Sequence, residues 1–92
     1  MSTPPDNFEI TRRRLLWRAT HRGIKEMDLI VGGYAQDHLS SMTGAELTDF
    51  AEILEIPDQQ LLSWVMNQEA LPPERDSPLL RAVLNYQPQV TK

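Results

Sequence analysis

Apolar residues return every three to four positions along most of this chain, and no stretch alternates with the period of two that a half-buried strand requires. From about Phe8 or Ile10 to His21, Leu15, Leu16 and Ala19 supply one apolar side of a helix. Arg14, Arg18 and Arg22 recur every four residues along another side. Gly23 is placed to end that helix, because glycine takes a left-handed cap conformation cheaply. A second helix is expected from about Ile24 to Leu39, with Met27, Ile30, Val31, Tyr34 and His38 on one face. Gly32-Gly33 interrupts it, so either another backbone approaches closely there or the helix bends.

After a turn at Ser40 to Thr43, the segment Thr43-Gly-Ala-Glu46 reads as a capping box opening a third helix to about Glu55. Leu47, Phe50, Ala51 and Leu54 point inward along it. Pro57-Asp58 starts a fourth helix whose inward residues are Leu61, Leu62, Val65 and Met66, with Trp64 on the edge. Leu71-Pro72-Pro73 breaks that helix. Ser77 caps a fifth, with Pro78 at the first helical position, where a missing N–H costs nothing. Leu79, Leu80, Val83 and Leu84 form its core side, and Pro88 closes it. The expected architecture is an all-α, small five-helix bundle. Residues 1–9 are read as a disordered lead-in, 10–88 as a single helical domain and 89–92 as a tail.

Composition narrows the chemistry. A chain of 92 residues suits one domain. It contains no cysteine, which removes disulfides, thiolate metal sites and thiol nucleophiles together and fits a reducing bacterial cytoplasm. Neither a membrane span nor a secretory leader is expected. The net charge of −4 is unevenly spread: residues 1–25 carry six basic groups against two acidic, and the remainder carries three basic against eleven acidic. A basic first helix on an acidic body suits a protein partner with matching patches, and the acidic body argues against nucleic acid.

Arg22-Gly23-Ile24-Lys25-Glu26 is the most distinctive local feature. Read functionally, Gly23 allows close approach by a partner, and Arg22 and Glu26 flank the contact with opposite charges. Read structurally, it is a capping glycine beside a surface ion pair, and spacing alone favours that version. The arginine stripe is most simply a solvated face, with protein binding second and nucleic acid third. His21 and His38 sit on different helices without metal-ligand spacing; His21 is expected to be exposed and His38 to line the core rim. Asp49, Glu52 and Glu55 form a solvated acidic face, since general acid–base work needs a pocket that a core this small can hardly supply. Trp17 and Trp64 are expected to be packing residues. No phosphate loop and no nucleophile–base set is visible, so no catalytic residue is assigned.

Arg14-Leu-Leu-Trp-Arg18 leading into His21-Arg-Gly-Ile-Lys-Glu26 resembles the R-G-x-x-E region of the SdhE family, the flavinylation factors of succinate dehydrogenase. Met27-Asp-Leu-Ile-Val-Gly32 with Tyr34, and Pro57-Asp58 followed by Leu62-Ser-Trp-Val65, extend the likeness. Gly33, which makes a glycine pair, and Gln59-Gln60, at a stretch often more acidic in the family, depart from it.

The resemblance implies a non-enzymatic assembly factor. Such a factor binds the flavoprotein subunit of succinate dehydrogenase and promotes covalent attachment of FAD to a histidine there. It has no cofactor and no metal of its own. By position, Arg22, Gly23 and Glu26 would form the presenting surface, with Arg14 and Arg18 flanking it. The free factor is expected to be a monomer in the bacterial cytoplasm. It would neither insert in a membrane nor bind nucleic acid, and fumarate reductase stays open as a second client. The rival readings are a helical nucleic-acid-binding module and a generic protein adaptor, each using the basic first helix.

Overall fold

The computed structural model describes residues 7–88, the side chain of Asn7 excepted; the lead-in before residue 7 and the tail at 89–92 lie outside the described residues. Five helices follow in order: α1 (Asn7–Thr20), α2 (Lys25–His38), α3 (Gly44–Leu54), α4 (Asp58–Val65) and α5 (Pro78–Leu84). A single 3-10 turn, Leu39–Ser41, joins α2 to α3, and there is no strand among the described residues.

The helix starts follow from local chemistry. The Thr43 side chain accepts from the Glu46 backbone N–H at 3.2 Å, and the Glu46 carboxylate accepts from the Thr43 N–H at 2.9 Å. The expected capping box is therefore complete in both directions. Ser77 accepts from the Leu80 N–H at 3.1 Å, with Pro78 in the first turn. α1 begins earlier than expected: residues 7–9, read from sequence as lead-in, are its first helical turn. A Cβ on Gly44, at the start of α3, would meet the ring of Phe8 at 2.8 Å, so that first turn lies against the α3 start.

One core runs through all five helices. Leu15 and Ala19 of α1, Met27, Val31 and Ala35 of α2, and Leu47, Phe50, Leu54, Leu61, Leu80 and Val83 of the later helices belong to one buried cluster. The glycine pair in α2 is a close approach, not a bend. A Cβ on Gly32 would lie 3.1 Å from the Ala19 carbonyl oxygen and 3.2 Å from the Thr20 Cα, so α1 can press on α2 only where no side chain intervenes.

Outside the α1–α2 turn and the arginine-bearing face of α1, three side chains depart from the sequence reading. Met66, expected inward, is the C-cap of α4 and is exposed, because the helix ends one residue earlier. Trp64, expected on the edge, is buried instead. His38 is exposed, with its ring 4.4 Å between centroids from that of Tyr34, a residue packed against the core.

Candidate functional site

The turn between α1 and α2 is built around Arg22. α1 stops at Thr20, whose hydroxyl donates back to the Leu16 carbonyl at 2.9 Å. His21 and Arg22 leave the helix, and Gly23 then takes φ +103°. An L side chain there is strained whatever the room, and nothing lies within 4 Å of the position its Cβ would occupy. The Arg22 N–H donates to the Asp28 carboxylate at 2.6 Å, so the first turn of α2 holds the turn that precedes it.

The Arg22 side chain does not pair with Glu26. It reaches across the molecule to the α3–α4 corner. Its Nε donates to the Asp58 carboxylate at 2.6 Å, Nη1 to the Leu54 carbonyl at 2.7 Å and Nη2 to the Ile56 carbonyl at 2.6 Å. The Leu54 carbonyl ends α3, that of Ile56 lies in the α3–α4 connection, and Asp58 is the first residue of α4. Only 8% of the Arg22 side chain and 16% of that of Asp58 are exposed. Arg22, expected on the presenting surface, is thus mostly withdrawn into a clamp. The planar fork of a guanidinium suits that role, because it offers several fixed donors to acceptors already in place.

With Arg22 withdrawn, the charges that the motif segment displays are Lys25 and the motif's own carboxylate, Glu26. Glu26 is exposed, and its carboxylate has no hydrogen-bond or ion-pair partner among the described residues. It sits in the first turn of α2, where the helix dipole favours a negative charge. The turn separates two open hollows. One, of about 600 Å³, is lined by Thr20, Lys25, Asp28 and Leu29 together with Asp37 and Tyr86. The other, of about 330 Å³, is lined by Trp17, His21 and Arg22 against Leu54, Ile56 and Pro57.

The arginine stripe is largely committed elsewhere. Arg18 pairs with Glu55 of the acidic α3 face, and Arg13 pairs with Glu9 one turn back at 3.2 Å. Arg12 donates to the Leu39 and Met42 carbonyls, at 3.2 and 3.0 Å, and so pins the α2–α3 connection. Arg14 is exposed and makes no ion pair among the described residues. Such a distribution leaves little free basic surface for a phosphate backbone. No group of three metal-ligating side chains gathers among the described residues, and no described helix is long and apolar enough to cross a membrane.

Sequence reasoning missed Asp28, Asp58 and Trp17. Asp28 and Asp58 each stand in the first turn of a helix, where an acidic residue is ordinary, so nothing local distinguishes them. Trp17, expected to pack, is 62% exposed.

Fold and site together define a small helical module whose distinctive turn is fixed from behind by a buried arginine and displays a carboxylate in front. The chain belongs to the family described as "Flavinator of succinate dehydrogenase", which matches residues 13–87. It is 43% identical over 79 residues to the FAD assembly factor SdhE of Acetobacter pasteurianus, an alignment covering 86% of this chain and 72% of that protein. Identity to the mitochondrial succinate dehydrogenase assembly factor 2 is 35% over 68 residues in Yarrowia lipolytica and 28% over 79 in Dictyostelium discoideum. The matched segments cover 47% and 56% of those two proteins, so the chain spans about half their length.

Proposed function

We propose that this chain is an assembly factor that binds the flavoprotein subunit of succinate dehydrogenase and promotes covalent attachment of FAD to it. One observation in particular supports the reading. In a family described as flavinators, the motif turn is held rigidly by the Arg22 clamp while Glu26 is left exposed and uncommitted. A charge carried on a braced turn and not engaged within its own chain is suited to a partner. Binding would favour the geometry in which the subunit's histidine meets the flavin, which is catalysis by proximity.

FAD enters this reading as the group joined to the partner. The larger hollow at the turn sets Lys25 against the carboxylates of Asp28 and Asp37, a donor set ill-suited to a pyrophosphate. The reading therefore assigns this chain no flavin of its own, and the covalent chemistry belongs to the subunit and the flavin.

The test is flavin fluorescence of the denatured flavoprotein subunit, in gels from cells carrying each variant as the sole copy. Glu26→Gln should lower covalent flavin and Glu26→Ala should lower it further. Both purified variants should melt within about 0.5 kcal/mol of the parent, as expected for an exposed residue without partners. Undiminished flavinylation by a folded Glu26→Ala variant would reduce the motif to a structural turn.

A further inference from the structure

We propose that the stacked pair Trp17–His21 is the anchor by which the chain docks on the flavoprotein subunit, entering an apolar socket whose rim offers a carboxylate to Arg14. The proposal rests on the function proposed above and assigns the energetic centre of that interface.

A single exposed apolar residue is ordinary on a protein surface. Trp17 is set apart by how it is held. It is the most exposed of the large apolar residues described, at 62%. Its ring lies parallel to that of His21, with centroids 4.2 Å apart and planes 10° apart. The His21 Nδ1 lies 2.8 Å from the Trp17 carbonyl oxygen, which can only accept, so Nδ1 carries the proton and donates. The Thr20 hydroxyl, 3.0 Å from the same nitrogen, supports it from the side. Both rings are thus ordered before any partner arrives. A preordered aromatic surface loses little freedom on binding, and tryptophan and arginine are the residue types most often found at the energetic centre of interfaces.

Position and charge point to the same occupant. His21 directly precedes the Arg22-Gly23 turn, and both rings line the hollow that the Arg22 clamp closes from behind. The ledge is therefore continuous with the turn that displays Glu26. Arg14 lies one helical turn back from Trp17 and Arg18, exposed and without an ion-pair partner among the described residues. An aromatic flanked by a guanidinium without a partner among the described residues fits a protein surface with an apolar recess and an acidic rim.

The experiment measures affinity of the purified full chain for the purified flavoprotein subunit by interferometry, with a thermal melt of every variant. Trp17→Ala should weaken binding by about 30-fold or more, the loss expected of an anchor residue, and Trp17→Phe by clearly less. Arg14→Glu should slow association, an effect that fades as salt is raised. Unchanged affinity of a folded Trp17→Ala variant overturns the proposal. If Glu26→Ala still lowers flavinylation in that case, the proposed function stands without the ledge. Failure of the parent chain to bind the subunit overturns both.

A second measurement does not depend on how Trp17→Ala folds. The chain has no cysteine, so Arg14→Cys introduces its only thiol. That thiol should react with a maleimide in the free chain and be protected in the complex, while Asp49→Cys on the acidic α3 face stays reactive. A thiol at position 14 that reacts equally in both states sinks the ledge as the interface. So does self-association of the free chain that Trp17→Ala abolishes, since the ledge would then be a contact between copies.

Discussion

A buried guanidinium is tolerated only where its donors are met, and at Arg22 three acceptors meet them at 2.6 to 2.7 Å. Removing it strands the mostly buried carboxylate of Asp58 and takes the donor from the Leu54 and Ile56 carbonyls. Breaking a buried pair from one side is far costlier than losing a surface pair. Arg22→Ala should therefore lower stability by about 3 kcal/mol in urea titrations. Arg22→Lys should recover only part of this, because a point charge cannot serve three acceptors arranged as a fork. Equal stability of the alanine variant and the parent would mean that the clamp contributes nothing net. At this scale the sequence is legible only in part. The spacing of Arg14, Arg18 and Arg22 is regular, but the helix ends at Thr20, and the acceptors of Arg22 lie 32 to 36 residues further along the chain. Residue type and spacing cannot announce partners that distant.

The elements were far more legible than the side chains on them. Thr43 with Glu46, and Ser77 with Pro78, mark helix starts through contacts three residues apart, so those boundaries follow from local chemistry. Gly32-Gly33 announced either a close approach or a bend, because a glycine inside an amphipathic helix is costly without a reason, and the contacts at Gly32 answer to the approach. The faces of short helices were harder. α4 has only eight residues, so one position more or less of helix decides whether Met66 packs or caps. The segment after α5 illustrates a feature with no sequence signal. The Tyr86 ring lies over Gly33 of α2, at 5.9 Å and edge-on to Tyr34, and its hydroxyl donates to Asp37. That hydrogen bond, then desolvation and the charge of Asp37, raise the Tyr86 pKa above its ordinary 10.0. Burial, then the charge of Glu46, raise that of Tyr34 in the same direction. A raised folded-state pKa means that the folded chain holds the proton more tightly than the unfolded one. The stabilisation is complete below about pH 10 and is lost as pH climbs through the raised values. Melting temperatures between about pH 8 and 11 should fall along an alkaline limb, and Tyr86→Phe should make that limb shallower. An identical alkaline limb in that variant would show that the Asp37 bond carries no pH dependence.

Across the whole molecule, the all-α class was readable from periodicity, whereas the meeting of two corners distant in sequence was not. The basic first segment is balanced in the fold chiefly by internal acceptors: Arg12 and Arg22 hold backbone carbonyls, and Arg18 holds Glu55. Charge asymmetry in the sequence therefore overstates the free positive surface. The Arg22 clamp, with the Arg18–Glu55 pair beside it, also makes the α1–α2 turn and the α3–α4 corner a single mechanical unit. Thermodynamic linkage is reciprocal: whatever steadies one end of such a unit must steady the other. A partner that grips only the motif turn should slow amide hydrogen exchange at Ile56, Gln60 and Leu61, whose N–H groups bond to the Ile53 and Pro57 carbonyls behind the clamp. In the Arg22→Ala chain that distant protection should shrink even where the partner still binds, leaving only what the Arg18–Glu55 pair can carry. The turn would then be gripped, and the far corner would exchange much more nearly as though the partner were absent.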